Sequence, residues 1–81
     1  METSIEKHNA DAPTIFSFIY NRIGRQHQYL IEQYGSNTVW DFVRMQAEYL
    51  ADVGIEEIGS SDVSIWVKDV ISSLKLVMED Y

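Results

Sequence analysis

The sequence predicts an all-α fold: a small three-helix bundle with short loops, preceded by a flexible N-terminal segment. Three observations carry this. Apolar residues recur at steps of three and four in three separate segments. Glycines and short polar residues stand between those segments, where helices end and begin. With 81 residues, 46% of them hydrophobic and 12% aromatic, the chain can bury one modest core. Residues 11–81 are therefore read as a single three-helix domain. Residues 1–10, polar and without a period, are read as the flexible segment.

The first helix is expected over residues 12–34. Asp11 is a natural N-cap, and Pro13 falls in the first turn, where its missing N–H costs nothing. Phe16, Ile19, Tyr20, Ile23, Leu30, Ile31 and Tyr34 mark its core face. His27 lies on the same side and is expected to hydrogen-bond across the bundle. Gly24 weakens the middle by about 1 kcal/mol against alanine and marks a close helix–helix approach or a kink.

Gly35 suits a helix C-terminus, with Ser36 or Asn37 capping the second helix, residues 37–53. Its core face reads Val39, Phe42, Val43, Tyr49, Leu50 and Val53, and Gly54 ends it. The connector "GIEEIGSSD" is anchored by Ile55 and Ile58. Ser60, Ser61 or Asp62 then caps a third helix over residues 62–79, with Val63, Trp66, Val67, Val70, Leu74, Val77 and Tyr81 facing the core. Its Val and Ile content would suit a strand, but the segment is long and lacks strict alternation, so helix is preferred.

Composition excludes several function classes. The chain has no cysteine, which removes disulfides, thiol chemistry and cysteine zinc sites. The formal net charge is −7, with only six Lys and Arg. That disfavours direct contact with nucleic acid or an anionic membrane. No apolar run approaches the roughly 20 residues that span a bilayer, and no signal peptide is evident, so a cytoplasmic protein is expected.

No motif names a reaction. The two histidines, His8 and His27, lack partners for a triad, and no nucleophile elbow, HExxH, calcium loop or phosphate loop is present. No cofactor or metal is expected. The reading is a non-enzymatic protein-binding module, a small acidic regulator, inhibitor or adaptor of a larger, basic protein that itself processes nucleic acid. A second copy of the chain is another candidate partner.

Two surfaces are candidates for that contact. Asp41, Glu48 and Asp52 share one helical arc opposite the core, continued past the helix end by Glu56 and Glu57. Arg44 sits beside Asp41 and Glu48 and neutralises both in part. The alternative to docking is a solvated helix face. The second surface is a stripe on the first helix, Ile15, Phe18, Arg22, Arg25 and Tyr29, of the residue types enriched at interface hot spots. Its alternative is a widened core face with arginines paired inside the molecule. On the third helix, Ile65 and Leu76 point away from the core, and Ile5 is a candidate to cover them.

Size, acidity and absence of catalytic motifs are loosely similar, at the level of a class, to small accessory proteins of phages and mobile elements. Such proteins often act as inhibitors. A nucleic-acid-mimicking inhibitor of the anti-restriction or anti-CRISPR type is therefore an alternative, although duplex DNA carries a much denser charge. A helix-turn-helix regulator is a further alternative. Its frame fits, but its recognition helix would offer only Lys68 and Lys75 against several carboxylates.

Overall fold

The computed structural model describes residues 10–79. It is all-α, with four helices among the described residues: α1 Ala12–Gln26, α2 Gln28–Tyr34, α3 Ser36–Val53 and α4 Ser60–Met78. The molecule is elongated, 53 × 24 × 19 Å.

The helix expected over residues 12–34 is two helices, broken at His27, whose backbone leaves the helical region (φ −137°, ψ 40°). The His27 N–H closes α1 on the Ile23 carbonyl at 2.8 Å, and its carbonyl accepts from the Leu30 N–H at 2.9 Å. Between Ile23 and Tyr29 the chain offers Gly24, Arg25, Gln26, His27 and Gln28. None is an apolar side chain able to hold a straight helix on the core, and helix stability in a protein comes mainly from such packing. Periodicity concealed the break because Leu30, seven residues after Ile23, keeps the same phase and is fully buried. Gly24 is not a close approach. A Cβ built there meets nothing within 4 Å.

The α1 cap is as expected. Thr14 N–H donates to Asp11 Oδ1 at 3.0 Å, and hydrogen bonding by the Thr14 side chain, then by its N–H, holds the Asp11 carboxyl below the usual carboxylate range. The other caps differ from expectation. Gly35 alone separates α2 from α3, at φ 94° and ψ 143°, so α3 begins at Ser36, and neither Ser36 nor Asn37 caps it. Gly59 is the N-cap of α4, and its N–H donates to Asp62 Oδ2 at 3.1 Å. Gly54 ends α3 in the left-handed conformation.

α1 packs most extensively on α3. Ala12 and Pro13 lie beside Ala47 and Glu48, and Phe16 lies beside Trp40, so the two run antiparallel. α4 crosses both. The core is a row from each helix: Ile15, Ile19 and Ile23 from α1, Leu30 from α2, Val39, Val43, Ala47 and Leu50 from α3, and Val63, Trp66, Val67, Val70 and Leu74 from α4. Ala10 packs against this core, and its N–H donates to the Ile55 carbonyl at 2.7 Å, tying the start of the described chain to the 55–59 connector. Residues 1–9 of the proposed N-terminal segment, with Ile5, and the expected core residue Tyr81 lie outside the described residues.

Several expected core residues are placed otherwise. Tyr49, Val53 and Val77 are exposed, and Phe16, Tyr20, Ile31, Tyr34 and Phe42 only half-buried. On α3 the buried row advances by steps of 4, 4 and 3 from Val39 to Leu50, which carries Tyr49 and Val53 to its flank.

Candidate functional site

The outer face of α3 is built by helix phase. Asp41, Glu48 and Asp52 are all exposed and lie at i, i+7 and i+11, about 10 Å and 6 Å apart along the axis. Beside them runs an apolar row, Met45, Tyr49 and Val53, at i, i+4 and i+8 and exposed by 50, 63 and 59%. The two rows share one side of the helix, so the acidic arc is the edge of a mixed acidic and apolar face. Glu56 and Glu57 are exposed in the connector beyond Gly54.

The carboxylates of this face do not converge. Among the described residues no group of three His, Asp or Glu is placed to hold a metal ion. Arg44 is committed to one of them: its Nη1 meets Glu48 Oε2 at 3.1 Å. The same guanidinium stands 6.0 Å from the Trp40 ring centre. Among the described residues Arg44 forms no ion pair with Asp41.

The second predicted surface is not a continuous stripe. Ile15 is fully buried, the first residue of the α1 core row, and leaves the proposed set for that reason. Arg22 is half-buried, with Nη1 donating to Ser64 Oγ of α4 at 2.9 Å. Tyr29 lies past the break, on α2, where its ring meets that of His27 edge-on at 6.0 Å. Phe18, Arg25 and Tyr29 are exposed. His27 makes no side-chain hydrogen bond among the described residues, contrary to the cross-bundle bond expected of it.

No protein-family model matches the chain, and comparison with curated proteins and with solved structures finds no significant match. Function is therefore argued from the surfaces themselves.

Two features escaped the sequence reading because each depends on which helices become neighbours. One is a groove of about 440 Å³ between α1 and α3, lined by Ala12, Pro13, Phe16, Trp40 and Ala47, with the Arg44–Glu48 pair at its rim. Phe16 stacks on Tyr20 with centroids 5.3 Å apart and meets Trp40 at 5.1 Å. The i, i+4 spacing of Phe16 with Tyr20, and of Trp40 with Arg44, was the available signal. The other is a cleft of about 150 Å³ between α1 and α4, lined by Arg22, Gln26, His27, Ser64, Val67 and Lys68.

At the far end, the Tyr34 hydroxyl donates to Glu79 Oε2, and Gln33 Nε2 reaches the same oxygen at 3.5 Å. The Glu79 carboxylate pushes the Tyr34 phenol up to about 12. Among the described residues no polar or charged residue is buried, and no helix is long and apolar enough to cross a membrane.

Proposed function

We propose that the protein is a non-enzymatic binding module, a small acidic regulator, inhibitor or adaptor that docks a basic protein segment on the outer face of α3. One observation carries the reading: Met45, Tyr49 and Val53 stand exposed in a row immediately beside Asp41, Glu48 and Asp52. A purely solvating face has no use for three large apolar side chains on one row. A partner helix with an apolar stripe and Lys or Arg along its edge satisfies both rows at once.

Other observations support it. Carboxylates on this face accept from lysine and arginine, and the net charge of −7 favours encounter with a cationic partner. General acid–base chemistry draws on groups desolvated in a cleft, and the described residues contain no buried polar side chain. The mixed face also argues against mimicry of duplex DNA. A mimic presents dense, continuous negative charge, whereas here apolar side chains alternate with carboxylates.

The test uses ¹⁵N-labelled protein and two model helices, one of leucine and lysine and one of leucine and glutamate. The lysine helix is expected to shift α3 resonances around Met45, Tyr49 and Val53, more weakly as salt rises, and the glutamate helix to leave them alone. Asp41→Lys with Asp52→Lys is expected to abolish the shifts, and Tyr49→Ser with Val53→Ser to weaken them. If the shifts instead map to Phe18, Arg25 and Tyr29 and vanish with Arg22→Glu and Arg25→Glu, the α3 reading is wrong.

A further inference from the structure

Positive charge is scarce in this chain, and its distribution on the α1–α4 side is uneven. Six Lys and Arg stand against 13 Asp and Glu in the sequence. The cleft between α1 and α4 nevertheless brings Arg22 and Lys68 together, with His27 at its end, and no carboxylate lines it. Neither Arg22 nor Lys68 forms an ion pair among the described residues.

The arrangement follows from two i, i+4 rows set face to face, Arg22 and Gln26 on α1 and Ser64 and Lys68 on α4, above the buried side chain of Val67. The nearest carboxylates in sequence are directed elsewhere. Asp69 Oδ2 accepts from Gln46 Nε2 on α3 at 3.5 Å, and Asp62 is engaged by the Gly59 N–H. One hydrogen bond fixes the guanidinium. Arg22 Nη1 donates to Ser64 Oγ at 2.9 Å, and Ser64 donates onward to the Ser60 carbonyl at 3.2 Å. A guanidinium carries five N–H donors, so four remain. With the Lys68 ammonium, the Gln26 amide and the His27 ring, the walls are rich in donors and poor in acceptors.

We propose that this cleft is a binding site for a phosphate-type oxyanion, held by Arg22 and Lys68 and completed by Gln26 and His27. A volume of about 150 Å³ holds about five waters. That suits one tetrahedral anion with residual solvent and is below the roughly 300 Å³ at which sites for whole organic ligands begin. The site lies on a different helix pair from the outer face of α3 and does not depend on the docking reading above.

The experiment titrates ¹⁵N-labelled protein with sodium phosphate, replacing sodium chloride at constant ionic strength and pH. Saturable shifts are expected at Arg22, Gln26, His27, Ser64 and Lys68, with the outer face of α3 unmoved. Lys68→Met, a change at an exposed position, is expected to weaken binding about tenfold or more, as loss of a charged donor implies. Arg22→Lys, which keeps the charge but not the fork, is expected to weaken it less than Arg22→Met does, with helicity by circular dichroism unchanged in each. Adenosine 5′-monophosphate serves as a second probe. Affinity equal to that of phosphate assigns a free-anion site, and tighter binding assigns a phosphate carried on a nucleotide. The proposal is overturned if phosphate gives no saturable shift beyond chloride, or if the Lys68→Met and Arg22→Met variants bind it as the wild type does.

Discussion

The two sides of α3 carry similar residues and meet opposite fates. Inward, Val39, Val43 and Ala47 are fully buried and Leu50 nearly so. Outward, Met45, Tyr49 and Val53 remain half exposed or more. Hydrophobicity alone does not separate the two sets. Helix phase does, because the contact with α1 and α4 admits one row and excludes residues about a third of a turn away. What lies on the excluded side is then available for function rather than for stability.

Truncating one residue from each side is the strongest way to break that contrast. Leu50→Ala is expected to cost about 2–4 kcal/mol, a large share of the stability of so small a domain, and to lower Tm by roughly 10–20 °C. Tyr49→Ser or Val53→Ser is expected to change stability by less than about 0.5 kcal/mol. Equal losses at Leu50 and Tyr49 by thermal denaturation would show that Tyr49 belongs to the core after all.

The contrast also explains how much was legible in the sequence. The helical class, the Asp11 cap, the Gly54 stop and most of the buried row were readable, because caps and periods are local. The count of helices was not. His27 breaks the first helix where polar residues leave no apolar contact to hold it straight, while Leu30 keeps the period intact. Of the proposed site residues, the acidic arc was correctly phased for exposure. The aromatic–arginine stripe lost Ile15 to the core because the 15, 19, 23 row outcompetes its neighbours. Tyr49 and Val53 were misread as core because they follow Phe42 and Leu50 at i+7 and i+3, spacings that also mark a buried row. The α1–α4 cleft was invisible, since no local pattern reveals which cations will face each other.

The glycines before and after the break at His27, Gly24 and Gly35, sharpen a second side of the comparison, that of backbone rather than side chain. Gly35 sits at φ 94° and ψ 143°, a region close to glycine-only. Gly35→Ala is expected to destabilise by about 1–3 kcal/mol. Gly24 is interior to α1 with open space around its Cα, so Gly24→Ala is expected to stabilise by about 0.5–1 kcal/mol. Urea denaturation of the two variants reads both signs. A destabilised Gly24→Ala would mean that the glycine serves the break at His27 rather than merely tolerating it.

The smallest expected effect lies at the end of α4, where Tyr34 and Glu79 join α2 to a helix it otherwise barely touches. The phenol of Tyr34 is raised to about 12 by that carboxylate. A group whose folded pKa lies above its unfolded value contributes stability that is complete below the unfolded value, about 10 for tyrosine, and fades as pH rises through the folded one. The contact therefore acts in full at neutral pH and weakens between about 10 and 12. Absorbance titration should show a late tyrosine ionisation step, at about 12. Tyr34→Phe should remove that late step, and Glu79→Gln should move it down toward 10, with α2 amide exchange accelerated in both. A single collective transition near 10 in the wild type would show that the two helices are not joined there in solution, and that α2 is held by α1 and α3 alone.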